Sequence, residues 1–195
     1  MTQENNTVLI FPTFLKIYKN FINKSQCLEI LKELKKINTK DHKALTKDNA
    51  KSSHNINKNI NYVLGDKINT DLLFLINHYA KEYGISELKI TNSWYNIQLK
   101  NSVLSSHSHP SSVISGVLYL KTDSLSSKIF FHNPNPYISF TEFNEHNNYN
   151  FNYVYFNVDV GSLILFPSWL IHGSNATENK SDERICFSFN TQYKD

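Results

Sequence analysis

His107-Ser108-His109-Pro110-Ser111-Ser112-Val113-Ile114-Ser115-Gly116-Val117-Leu118-Tyr119-Leu120 is the most informative run in the chain. Its second half, Val113 to Leu120, is apolar, partly β-branched and bounded by turn residues, the pattern of a buried strand. Residues two apart on extended chain point to one side, so the imidazoles at 107 and 109 can face one metal ion or one solvent-filled cavity. Outward from this run, similar β-type segments occur at 89–99, 127–132, 153–157, 162–166 and 184–191. Turn clusters separate them, notably Asn133-Pro134-Asn135-Pro136 and the Asn-rich stretch 144–152. Short strands at this spacing predict a sandwich or small barrel over residues 88–195.

Residues 1–87 read as helical. Asn23-Lys24-Ser25 offers caps, and Cys27, Ile30, Leu31, Leu34 and Ile37 fall on one helical face. A second helix is expected from about Thr70 to Tyr83, carrying Leu72, Leu73, Leu75, Ile76 and Tyr79 and stopping near Gly84. Between the two, residues 41–61 are rich in Lys, Asn, Ser and His and read as a polar loop with the composition of a mobile flap. The expectation is one domain over 1–195, with a helical N-terminal part and a β core.

Composition narrows the function classes. A chain of 195 residues with 40% hydrophobic and 13% aromatic residues can bury a core, which excludes global disorder. No apolar run approaches the ~20 residues a membrane-spanning helix needs. The net charge of +3 arises from 20 basic and 17 acidic residues scattered along the chain, so there is no nucleic-acid or membrane signature. Cys27 and Cys186 lack metal or redox spacing, and residues 1–11 lack the features of a secretion signal, which makes a cytoplasmic location the expectation. Glycine-rich phosphate loops, nucleophile elbows and CxxC pairs are absent from the sequence.

Of the 20 basic residues all but one are Lys, and the exception is Arg184. A chain that uses Lys wherever a charge suffices keeps an arginine where a planar, bidentate guanidinium is needed. Arg184 opens the alternating strand Arg184-Ile185-Cys186-Phe187-Ser188-Phe189-Asn190, whose polar face is Arg184, Ser188 and Asn190. A third imidazole, His172, follows the buried run Gly161 to Pro167 and lies twelve residues before Arg184. The remaining histidines, His42, His54, His78, His132 and His146, lack such partners and read as surface or structural residues.

Taken together, His107-Ser108-His109-Pro110, Ser115 to Leu120, Phe131-His132-Asn133-Pro134, Gly161 to His172 and Arg184 to Asn190 resemble the Fe(II)- and 2-oxoglutarate-dependent oxygenases, in particular a small bacterial and phage subgroup with an HxHP motif. The likeness spans roughly Trp94 to Asn190. It implies a mainly β fold with N-terminal helices, a double-stranded β-helix (jelly roll, cupin-like) whose mouth holds one iron. His107, His109 and His172 are the implied metal ligands and catalytic centre. The family's usual set is two histidines and a carboxylate, and here His109 stands at the carboxylate position. Arg184 is implied to anchor the distal carboxylate of 2-oxoglutarate. Cys186 occupies the place where many relatives carry a Ser or Thr, so Tyr119, Asn96, Ser188 and Asn190 are the further cosubstrate-binding candidates.

The resemblance implies hydroxylation of an unactivated C–H bond with dioxygen as co-reactant and ascorbate as a stimulant; a small molecule, a peptide side chain and a nucleobase all stay open as substrate, and so do monomer and homodimer. Two other readings stand beside it: a jelly-roll metal- or ligand-binding protein without activity, and a three-histidine dioxygenase that does not use 2-oxoglutarate. The spacing of Arg184 from His172 favours the first.

Overall fold

The computed structural model describes residues 11–41, 46–47, 49–147 and 149–194. Their strands are β1 (Lys16–Tyr18), β2 (Lys40–Asp41), β3 (Thr46–Lys47), β4 (Ala50–Ser52), β5 (Leu88–Leu99), β6 (Val103–Leu104), β7 (Ile114–Lys121), β8 (Ile129–His132), β9 (Tyr153–Phe156), β10 (Leu163–Pro167), β11 (His172–Gly173) and β12 (Glu183–Tyr193). The helices are α1 (Lys24–Leu34) and α2 (Gly65–Glu82), with short 3-10 turns at Asn61–Leu64 and Pro136–Phe140. His42 lies outside the described residues.

A seven-stranded antiparallel sheet runs in the order β1-β10-β7-β12-β5-β4-β2, and a three-stranded sheet in the order β11-β8-β9. A bridge between His107 and His172 extends the small sheet beyond β11, and β3 and β6 form a separate ribbon. The sheets face each other across a shared apolar layer of Val117, Tyr119, Ile164, Phe166 and Cys186 from the large sheet and Ile129 and Phe131 from the small one. This is the double-stranded β-helix.

The outer face of the large sheet is covered by the helices. Leu118, Leu120, Leu163, Leu165, Ile185, Phe187 and Phe189 join Cys27, Ile30 and Leu34 of α1 and Leu72, Ile76 and Tyr79 of α2 in one core. Both faces of β7, β10 and β12 are therefore buried, which is why β10 reads as a continuous apolar run instead of an alternating one. Gly116 sits opposite both Phe189 and Leu165, and a Cβ there would lie 2.2 Å from the Phe189 ring. Its missing side chain is what lets that ring pack on the sheet.

Helix α1 starts as the caps predict. The Asn23 side chain accepts from Gln26 N at 3.0 Å, while Gln26 Oε1 accepts from Asn23 N at 2.9 Å, a reciprocal capping box. Helix α2 begins at Gly65 rather than Thr70, because Ile68 extends its buried face and Asn69 Nδ2 donates to the carbonyls of Asn61 and Gly65. Within it Leu73 is exposed, and the buried positions are Ile68, Leu72, Ile76, Tyr79 and Ala80. Gly84, at φ 70°, ends the helix in the left-handed region as the sequence suggests.

The polar stretch 41–61 is not only a loop. Within it β4 pairs with Asn96 to Gln98 of β5 and extends the large sheet, with Ser52 and Ser53 buried. Ser52 Oγ donates to Tyr95 O at 3.3 Å, and Tyr95 N donates to Ser53 Oγ at 3.2 Å. Side chains read as loop composition are satisfying the backbone of a neighbouring strand.

Candidate metal and cosubstrate site

The antiparallel bridge between His107 and His172 is closed by two backbone hydrogen bonds, His107 N to His172 O and His172 N to His107 O, each 2.9 Å. His109 N donates to Ser168 O at 2.9 Å, which ties the turn after the HxH run to the end of β10. These bonds bring three imidazoles together. Ring centroids are 4.5 Å apart for His107 and His172, 5.0 Å for His107 and His109, and 5.1 Å for His109 and His172. One nitrogen from each lies within 4.8 Å of the others, a spacing that one metal ion can bridge.

Two of the rings are oriented by their own backbone. His107 Nδ1 lies 2.8 Å from Ser105 O and His172 Nδ1 lies 2.9 Å from Leu170 O. A carbonyl can only accept, so each Nδ1 carries the proton and each Nε2 keeps a lone pair, the form a metal requires. Burial holds all three imidazoles below the ordinary histidine range. His172 is furthest inside, and His109 is pulled down to about 4 by burial first and then by His107 and His54. Neutral rings are the metal-ready state.

Arg184 and the three histidines line the same cavity, of about 220 Å³. The Arg184 side chain is buried, at 4% exposure. It donates from Nη1 to Gln98 Oε1 and from Nη2 to Tyr119 Oη at 3.4 Å, and its carbon lies 5.0 Å from the Tyr119 ring centre. Among the described residues Nε has no partner and no carboxylate pairs with the guanidinium. A buried cation without an anion is costly, so this group is set to receive one. Burial pushes the Tyr119 phenol up, leaving its proton in place to donate.

Cross-strand register places the other candidates. Cys186 lies opposite Asn96 and Tyr119, and Ser188 lies opposite Trp94 and Val117, so all of these line the cavity. Asn96 Nδ2 donates to Ser188 Oγ at 3.4 Å. Asn190 is not among the lining residues. Its Oδ1 accepts from Ser115 Oγ at 2.8 Å, and Ser115 in turn meets Ser168 Oγ at 2.8 Å, a buried network beneath the His109 turn.

Sequence reasoning missed Gln98 as the partner of Arg184, although the pairing of Arg184 with Gln98 follows from strand register. It also missed His54 and Lys51, which line the cavity from β4 and the turn after it. His54 packs edge-on against Trp94 with ring centroids 4.9 Å apart. No spacing in the sequence announces that contact, since it depends on β4 joining the sheet.

A double-stranded β-helix with a three-histidine cluster and a buried arginine in one cavity defines a class of non-haem metal enzymes. The family model described as "Putative 2OG-Fe(II) oxygenase" matches residues 92–190, just over half of the chain, and the protein belongs to that 2-oxoglutarate- and Fe(II)-dependent oxygenase family. No curated protein matches by sequence. Among solved structures, HygX from Streptomyces hygroscopicus with nickel and 2-oxoglutarate bound superposes with a TM-score of 0.63 at 11% identity, covering 93% of this chain and 84% of that one. A prolyl-4-hydroxylase from Pseudomonas putida gives 0.64 at 10% identity, covering 94% of each chain. The collagen prolyl hydroxylase of Paramecium Bursaria Chlorella virus-1, in complex with 2-oxoglutarate, gives 0.59 at 9% identity, covering 92% and 96%. Among the described residues, no helix is long and apolar enough to cross a membrane.

Proposed function

We propose that His107, His109 and His172 hold ferrous iron and that Arg184 anchors the distal carboxylate of 2-oxoglutarate, with Tyr119, Asn96 and Ser188 as the polar wall around the cosubstrate. The observation that carries this reading is the buried guanidinium of Arg184, which among the described residues has an unpartnered Nε and no carboxylate, in the same cavity as the imidazole cluster. The donor set fits the metal: neutral imidazoles with free Nε2 lone pairs suit Fe(II), and three ligands leave positions for cosubstrate and dioxygen.

When bound, the iron supplies the activation of dioxygen, coupled to oxidative decarboxylation: 2-oxoglutarate, O2 and a substrate C–H give succinate, CO2 and the corresponding C–OH. The chain's own contribution is positional. Ser105 and Leu170 carbonyls hold the two bridge histidines. Arg184 offers a planar fork that a carboxylate can accept bidentately, and Tyr119 adds a hydroxyl donor. Val117, Ile129 and Phe166 form an apolar wall that limits water. Trp94, His54 and Lys51 line the same cavity and are assigned to contact the substrate, a small molecule or a peptide side chain. We assign the protein to the cytoplasm, where its two buried, unpaired thiols Cys27 and Cys186 stay reduced.

A three-histidine dioxygenase independent of 2-oxoglutarate is favoured by the lack, among the described residues, of a carboxylate in the imidazole cluster. It leaves Arg184 without a purpose, and that decides against it. The test is succinate formation from 2-oxoglutarate by the Fe(II)-loaded protein without added substrate, with ascorbate expected to prolong the slow turnover. Absence of both 2-oxoglutarate binding and succinate would turn the assignment to a metal-binding jelly roll without activity.

A further inference from the structure

The three imidazoles are not held alike. His107 and His172 are each fixed twice, by the Nδ1 bond to a carbonyl two residues earlier and by the backbone bonds they exchange. Turning either ring away breaks a hydrogen bond and leaves a carbonyl without its partner. His109 has backbone bonds of its own, to Ser168 O at 2.9 Å and from Ser112 N at 3.3 Å, but its ring lacks the Nδ1 bond. Among the described residues, its ring nitrogens make no hydrogen bond to the protein. Among the described residues, its ring packs against Trp94, with centroids 5.8 Å apart and planes at 54°, and against the other two imidazoles. It also sits in a turn, between the His107 bridge and β7, where Ser111 has a φ of 65°. Rotation of His109 therefore costs no hydrogen bond.

Charge points the same way. Among the described residues no Asp or Glu lines the cavity, while Arg184 and Lys51 do. A divalent cation held by three neutral rings beside a buried guanidinium carries surplus positive charge, and in such surroundings an anionic donor is favoured over a neutral one.

We propose that His109 is an exchangeable ligand whose coordination position a small carboxylate anion can take, while His107 and His172 retain the metal. This rests on the oxygenase reading above, for it assumes that the cluster holds a divalent ion. The consequence is a site with two coordination states, three-imidazole at rest and two-imidazole plus carboxylate when a carboxylate-bearing ligand arrives.

The test uses Co(II) as probe with the full-length protein, its affinity read by calorimetry and by visible absorption, with folding of each variant checked by circular dichroism. His109→Ala is expected to weaken Co(II) binding by roughly tenfold or more, about 1.4 kcal/mol or more, while leaving a titratable site. Acetate should restore at least tenfold of that loss, and the neutral isostere acetamide should restore none. His107→Ala and His172→Ala should lose the site with no recovery in acetate. His109→Asp, which supplies the carboxylate covalently, should bind at least as tightly as wild type. If His109→Ala loses the site as completely as the other two, or if acetate and acetamide act alike, the proposal is overturned. A wild-type protein that binds no Co(II) overturns the oxygenase reading and this proposal with it.

Discussion

His107 and His172, far apart in sequence, exchange both of their backbone hydrogen bonds at 2.9 Å and bring their ring centroids to 4.5 Å. The imidazole cluster is thus built into sheet pairing, with two of its rings standing directly opposite each other on neighbouring segments. Strand register sets their separation, and the Ser105 and Leu170 carbonyls set their ring planes.

Gly173, next to His172, provides a way to disturb this pairing without touching an imidazole. A Cβ there would lie 2.8 Å from Leu104 O and 3.1 Å from Ser105 O, the carbonyl that orients His107. Gly173→Ala is expected to leave the fold intact at a cost of roughly 1–3 kcal/mol, the range for overpacking, and to weaken Co(II) or Ni(II) binding. Metal titration alongside urea denaturation checks both, and unchanged metal affinity would contradict the role of the Ser105 carbonyl.

Arg184→Lys should keep metal binding and lose cosubstrate. A point charge on a flexible stem replaces a fork held by Gln98 and Tyr119, so 2-oxoglutarate affinity should fall by about tenfold or more, the equivalent of one charge-assisted hydrogen bond. Calorimetry of the Ni(II)-loaded protein provides the measurement. Equal affinity in the two proteins would remove Arg184 from the cosubstrate site.

Asn190 offers the contrasting case. It bonds to Ser115 beneath the turn and lies outside the cavity lining. Asn190→Ala should cost about 1–3 kcal/mol of stability by stripping a buried hydroxyl of its acceptor, with 2-oxoglutarate affinity unchanged. A selective loss of 2-oxoglutarate binding in a fully stable variant would return Asn190 to the binding set.

The metal-free protein should lose stability on mild acidification. His107, His109 and His172 have depressed values in the fold, whereas in the unfolded chain they titrate near 6.5. Below that point the unfolded state binds protons that the folded state refuses. Stability is therefore complete above about 6.5 and declines as the pH falls from there toward 4, where His109 begins to protonate in place. Urea midpoints between pH 7.5 and 4.5 should show this slope, and His172→Gln should flatten it.

The β runs, the HxH pair, His172 and the singular Arg184 were readable in the chain because each is a local pattern. Burial on both faces writes continuous apolar runs into β7 and β10. Extended parity puts residues two apart on one side, and a lone arginine among lysines marks a need for its geometry. The capping box at Asn23 was legible for the same reason, since all its parts lie within four residues.

Tertiary structure alone decided what depends on partners distant in sequence. Residues 50–53 look like loop because their serines and lysine carry no strand signal, yet their hydroxyls satisfy the Tyr95 backbone and bring Lys51 and His54 to the cavity. On the polar face of β12 the sequence singled out Arg184 but left Ser188 and Asn190 as further candidates of equal standing. Only the folded chain shows Asn190 bonded to Ser115 outside the cavity lining, and Arg184 held in the cavity by its register with Gln98 and its side-chain bond to Tyr119. Periodicity reports which side of a strand a residue occupies, but a hydrogen bond needs a second atom at a defined distance, and that atom's position belongs to the folded chain.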